Sequence, residues 1–148
     1  MSHCAPSKGD RKAGETLIKA AQTSCLACHK LGQEGGVLGP DLTAIGRAMI
    51  PEMIVESVLW PKRQVKEGFM LTLITMKSGE THQGYKANET PVAVTLKDLT
   101  GASMQPISKA SITTRSDTGT LMPEGLTIWM SEQQQLDLLR FLFELGKE

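Results

Sequence analysis

The sequence predicts a mainly α chain that carries a small antiparallel β region at about residues 69–114. Three observations lead there. Apolar residues recur with a helical period near both ends of the chain, over residues 10–22 and after Ser131. From Phe69 the period changes from 3.6 to 2. Clusters of Gly, Pro, Asn and Asp separate the alternating stretches. A length of 148 residues is one domain's worth. We expect a disordered segment over residues 1–9 and one domain over 10–148, with the β insert at about 66–115.

The first helix starts at Asp10, whose carboxylate suits the free amides of a first turn. Ala13, Gly14, Leu17, Ile18, Ala20 and Ala21 fall on one side, and Arg11, Lys12, Glu15, Thr16, Lys19 and Gln22 on the other. Gly14 costs helix stability inside that apolar arc, which suggests that another helix crosses closely there. Residues 31–48 read as loop, with Gly32, Gly35, Gly36, Gly39-Pro40-Asp41 and Gly46. Pro51 suits the first turn of a second helix, with Ile54, Val55, Val58 and Leu59 as its buried stripe. Trp60-Pro61 ends it, because the residue before proline is pushed out of the α region.

Strands follow at 69–76, 81–87, 92–96 and roughly 108–114, with turns at 77–80, 88–91 and 98–101. A last helix begins after Ser131, with Gln134 at the capping-box position. Asp137, Arg140 and Glu144 form its polar stripe. Leu136, Leu138, Leu139, Phe141, Leu142, Phe143 and Leu145 cover the remainder, so the helix is buried on most sides.

Composition removes several functions. Lys+Arg and Asp+Glu both count 16, for zero net charge, which argues against a phosphate-neutralising nucleic-acid binder or a polybasic membrane module. No stretch approaches the ~20 apolar residues of a membrane span, and Met1 to Lys12 contains no signal-like apolar core. Aromatic residues make up only 4% of the chain. The core must be filled by Leu, Ile, Val and eight Met, or by something the sequence does not encode.

Cysteine supplies the strongest motif. Cys25-Leu26-Ala27-Cys28-His29 is C-x-x-C-H, the attachment sequence of c-type haem. Two thiols three positions apart, in a turn entering a helix, can reach the two vinyl groups on one porphyrin edge. The next residue then points its imidazole at the iron. A structural zinc site would need four ligands in paired spacing, and the further candidates, His3, His82 and Cys4, form no such pair. A thioredoxin-like pair should follow a strand, and none is read upstream of Cys25.

A buried haem iron needs a sixth ligand or an open site. The candidates are Met122, Met104, Met70, Met76, Met49, Met53 and His82. Met53, Met70 and Met76 read as ordinary core, and His82 as a surface strand residue. Met122 differs because it sits in the loop Gly119-Thr120-Leu121-Met122-Pro123-Glu124-Gly125. Pro123 biases its backbone to extended geometry, which aims the side chain reproducibly.

With these motifs assembled, the chain resembles class I cytochrome c. More closely, it resembles the planctomycete/verrucomicrobial-type haem-binding cytochrome c domain, over about residues 10–147. The likeness rests on the C-x-x-C-H, Gly35-Gly36, Gly39-Pro40-Asp41-Leu42, the Pro51 to Trp60 helix and Leu121-Met122-Pro123-Glu124-Gly125-Leu126. It implies a cytochrome c-like helical fold around one covalent haem, with the β region inserted before the distal-Met loop. It implies thioethers at Cys25 and Cys28, His29 as proximal iron ligand and Met122 as distal ligand. The Pro40 carbonyl would accept a hydrogen bond from the other nitrogen of His29, and Gly14 would lie near Phe141 where the first and last helices cross. Compact members have fewer residues between haem motif and Met; here 93 positions separate His29 from Met122.

The expected function is one-electron transfer by a monohaem c-type cytochrome. No acid/base pair, nucleophile or open metal site is evident, so an electron-transfer protein rather than an enzyme is expected. His/Met ligation and apolar burial both favour ferrous iron, which implies a positive midpoint potential. The alternative is a haem-based small-ligand (gas) binding or sensing module with a displaceable distal Met. Arg47, or Lys62 and Arg63, would pair with the haem propionates. Expected partners are redox proteins such as a dehydrogenase or an oxidase, with no nucleic acid and no transmembrane span. The β insert would cover a haem edge or, through its exposed strand edges, pair two copies into a homodimer.

Covalent haem attachment implies a periplasmic or otherwise exported protein. The chain is then a mature, trimmed or excised form. Cys4 reads either as a lipid-anchored residue or as a stray thiol.

Overall fold

The computed structural model describes residues 8–100, 102 and 104–147. Residues 1–7, and with them the expectations for His3 and Cys4, lie outside the described residues. The described chain is 33% helical and 25% strand, with five α-helices and a five-stranded antiparallel sheet. The expected mainly α, cytochrome c-like helical fold is therefore corrected to a mixed α and β fold. The physical reason lies in how each element ends. Two of the five helices are four residues long. Two strands run on through polar residues that alternation could not count, because ladder hydrogen bonds are made by the backbone whatever the side chain.

The described residues form two compact units, one of those up to Gln64 with those from Met122 onward, the other of those within Val65–Leu121. The helical unit contains α1 (Arg11–Lys19), α2 (Cys25–Cys28), α3 (Ile45–Ala48), α4 (Pro51–Leu59) and α5 (Glu132–Glu144). Asp10 caps α1, its carboxylate accepting from the amides of Lys12 at 2.8 Å and Ala13 at 3.1 Å. The amphipathic period runs to Gln22, but α1 stops at Lys19. Ala20 is extended and a 3-10 turn, Ala21–Thr23, folds back with the Thr23 hydroxyl donating to Ala20 O at 2.7 Å. The expected loop over 31–48 also holds α3 and a two-residue ladder, β1 (Lys30–Leu31) with β2 (Glu34–Gly35).

α1 and α5 cross at Gly14. A Cβ there would strike the Asp137 carbonyl oxygen and lie 2.8 Å from Phe141 Cβ. Around this crossing Ile18, Ile54, Met130, Leu138, Leu139, Phe141, Leu142, Phe143 and Leu145 form one buried core. Ser131 and Gln134 close a capping box at the start of α5, at 3.1 and 2.8 Å. The polar stripe of α5 does not face water along its length. Asp137 is only 7% exposed and accepts from the Asp10 amide at 2.7 Å and from Gln133 Nε2 at 2.8 Å. Glu144 pairs with Arg11 at 3.2 Å and with Arg140 at 2.7 Å. The stripe thus seats the segment entering α1.

The β unit comprises β3 (Leu71–Met76), β4 (Thr81–Glu89), β5 (Ala93–Lys97), β6 (Ile107–Ser108) and β7 (Ile112–Gly119). Their order is β6-β5-β4-β3-β7, antiparallel throughout. The expected strand at 108–114 is thus two strands, parted by the 3-10 turn Lys109–Ser111. β6 and β7 lie on opposite edges, yet only those three residues join them. Four strand gaps in a flat sheet span about 19 Å, whereas such a turn covers under about 10 Å. The sheet must curl towards closure, around Ile74, Val94, Leu96 and Ile107 with Met76, Met104 and Ile112.

Glu89 ties this curl together. Its carboxylate is held by Arg115 at 2.9 and 3.0 Å, Lys109 at 2.8 Å and Lys86 at 3.3 Å. Arg115 first, then Lys109 and Lys86, hold its carboxyl well below the usual carboxylate range. A group with a depressed folded pKa stabilises the fold above its unfolded pKa and loses that contribution as pH falls below it. We expect hydrogen exchange over 65–121 to show stability falling once pH drops below about 4.3, the ordinary glutamate value. Glu89→Gln should weaken the β unit at neutral pH and flatten that acid dependence. An unchanged acid profile in the variant would count against this role.

Among the described residues, no helix is long and apolar enough to cross a membrane.

Candidate functional site

Backbone geometry sets up the C-x-x-C-H segment. Ser24 has φ 56°, and it is the one non-glycine residue with positive φ among those described. That left-handed turn starts α2 directly on Cys25. Cys25 and Cys28 are one helical turn apart, which places them on the same side of α2. Both thiols are free and half-buried. Cys25 packs against the helical core with Sγ 3.7 Å from Thr23 O, and burial pushes its thiol pKa up. His29 caps the C-terminus of α2, its amide donating to Cys25 O at 2.9 Å.

A strap of residues 36–42 runs along this segment. Gly36 N donates to Leu26 O at 3.0 Å, Gly39 N to Cys28 O at 2.7 Å and Leu42 N to Lys30 O at 2.8 Å. Every second carbonyl from 26 to 30 is thus fixed by the strap. Its far end is closed by Asp41, which accepts from the Thr43 amide at 2.8 Å and hydroxyl at 2.6 Å. Those two donors hold the Asp41 carboxyl below its usual range. Gly32 N donates to the same Thr43 hydroxyl at 2.8 Å.

The strap delivers the contact that orients the imidazole. His29 Nδ1 lies 2.6 Å from Pro40 O. A carbonyl only accepts, so Nδ1 carries a proton and donates it. In the neutral ring the lone pair then sits on Nε2, which has no hydrogen-bond partner among the described residues. Two thiols on one side of a helical turn, followed by an imidazole whose Nε2 is available to bind, are the donor set that haem c requires. Among the described residues, no group of three or more His, Cys, Asp or Glu is placed to hold a metal ion by itself. The two sulfurs and the imidazole therefore do not form a chelating cluster of the zinc type.

Met122 is half-buried in the loop between β7 and α5, and it belongs to the same compact unit as Cys25, Cys28, His29 and Pro40. The chain returns from the β unit to the helical unit at this residue. Met104 and Met76 pack on the β core, and His82 stands opposite Ile74 on β4 with Nε2 3.5 Å from Glu80. Met49 packs on the helical core. Met53, expected to be core, is 38% exposed on α4. Met130, which periodicity left unassigned, is buried. Arg47 is exposed, with its backbone amide donating to Leu145 O at 3.1 Å. Arg63 stacks over Trp60 at 4.3 Å.

Two residues of the site escaped sequence reasoning. Ser24 gave no signal because serine rarely adopts positive φ. Gly39 belongs to a loop and to a segment that carries the resemblance, but neither signals that a Cβ there would strike the His29 ring.

Compared with protein-family models and with curated proteins, the chain matches none.

Proposed function

We propose that the helical unit carries one haem c, attached through Cys25 and Cys28, and that the protein is a monohaem one-electron carrier. His29 is the proximal iron ligand and Met122 the distal one. The observation that carries this reading is the C-x-x-C-H segment with the His29 Nδ1 to Pro40 O contact of 2.6 Å. When bound, haem supplies a reversible one-electron change at iron.

The residues do the rest. Cys25 and Cys28 anchor the group from one side of α2. Pro40 fixes the ring orientation of His29 and raises its donor strength through the Nδ1 hydrogen bond. A thioether from Met122 is a soft, weak donor, which favours the reduced state and sets a positive potential. Apolar surface in the same unit suits an apolar cofactor: Val37, within the strap, is 63% exposed, and Ile50 is 59% exposed. Covalent attachment places the protein in a periplasmic or other exported compartment, where its partners are redox proteins such as a dehydrogenase or an oxidase.

The test is expression in a bacterial host that exports the chain and attaches haem. The expected product is coloured and keeps its haem through denaturation and acid extraction. Its two thiols resist alkylation, and Cys25→Ala/Cys28→Ala is colourless. A colourless wild-type protein with both thiols open to alkylation refutes the reading.

A further inference from the structure

We infer that Gly39 is a positioning residue for His29: the missing side chain at Gly39 is what lets the imidazole stand against the strap with Nδ1 on Pro40 and Nε2 turned to bind. It extends the proposed function by naming what holds the ligand in place.

The backbone does not ask for glycine there. Gly39 is absent from the positive-φ positions, so an L-residue fits its conformation. The space does ask for it. A Cβ at Gly39 would lie 2.5 Å from His29 Cε1, 2.7 Å from Nδ1 and 3.0 Å from Nε2. All three atoms belong to the ring, and carbon contacts in proteins sit at about 3.5–4.0 Å. The strap cannot retreat, because Gly39 N is bonded to Cys28 O at 2.7 Å and the next residue, Pro40, bears the acceptor. The ring is the softer side. It swings about its two side-chain torsions and gives up the Pro40 bond. Glycine at 39 therefore acts as a seat for the ring, and the seat exists before any metal is present.

Two measurements on the unloaded full chain test this, so neither depends on haem attachment. The first is nitrogen-15 NMR of the His29 ring, which reports which ring nitrogen carries the proton. In the wild type, Nδ1 is the protonated nitrogen in nearly all molecules. In Gly39→Ala, that preference collapses to the mixture of a solvent-exposed imidazole. The second is a double-mutant cycle in chemical denaturation. Gly39→Ala lowers the folding equilibrium constant about three- to tenfold in the wild-type background, the scale of one lost hydrogen bond. In the His29→Ala background, where no ring is left to strike, its effect falls below about twofold.

A Gly39→Ala chain that keeps the Nδ1 proton in place overturns the inference, and so does an unloaded wild-type chain that does not fold or shows no Nδ1 preference. So does an equal cost in both backgrounds. If Gly39→Ala alone fails to fold, the cycle still decides: recovery in Gly39→Ala/His29→Ala supports the seat, and continued failure refutes it. A colourless wild-type protein would refute the proposed function while leaving the seat to be judged by these two readings.

Discussion

Gly14→Ala lowers the stability of the helical unit by about 2 kcal/mol, although alanine is the better helix former. Two opposed effects set the sign. Replacing glycine inside α1 gains about 1 kcal/mol of helix propensity. Against this, the new Cβ meets the Asp137 carbonyl oxygen and sits 2.8 Å from Phe141 Cβ. The first obstacle is backbone in the middle of a helix, which cannot turn aside as a side-chain tip can. The overpacking cost therefore belongs at the upper end of its range, about 3 kcal/mol. Both tryptophans, Trp60 and Trp129, lie in the helical unit, so their fluorescence follows this unit without the β unit. The expected result is a lower denaturant midpoint at unchanged slope. A midpoint equal to or above that of the wild type would mean that the helices do not meet at Gly14.

If the helical unit carries haem c as proposed, Met122→Ala is expected to change the iron site without dissolving it. Cys25, Cys28 and His29 would still hold the group, so the variant would remain coloured. Losing the thioether would leave the distal position open: the reduced variant is expected to bind carbon monoxide, and the reduced wild type is not. The potential falls by more than about 100 mV, well inside the ~0.8 V over which axial ligands move haem potentials. Absorption spectra of both redox states, carbon monoxide titration and potentiometry read all three. Spectra identical to the wild type would remove Met122 from the site and pass the question to Met49 and Met53 of the same unit. Carbon monoxide binding by the reduced wild type would favour the gas-binding alternative instead. Pro123 is the reason to expect a single well-placed thioether, since it narrows the backbone of Met122 to extended geometry.

The C-x-x-C-H motif was legible because it lies within five consecutive residues, Cys25 to His29. So were the caps at Asp10 and at Ser131 with Gln134, where donor and acceptor stand at most three positions apart. Strand extent was less legible. β4 runs to Glu89 and β7 to Gly119 through polar stretches that look like turns, because neighbouring strands supply their hydrogen bonds. Those added residues, with the short α2 and α3, are why the mainly α expectation gave way to a mixed fold.

By itself, then, the sequence determined the thiols and imidazole and the caps of the long helices, since bond lengths and dihedral preferences act over a few residues. Only the tertiary structure decided what surrounds those groups. Asp137 is buried because it meets the Asp10 amide from 127 positions away. Pro40 reaches His29 across 11 positions, and Gly39 arrives beside it as bare backbone. A pattern of residue types records which atoms can bond or collide; which of them come within reach is set by how the whole chain closes on its core.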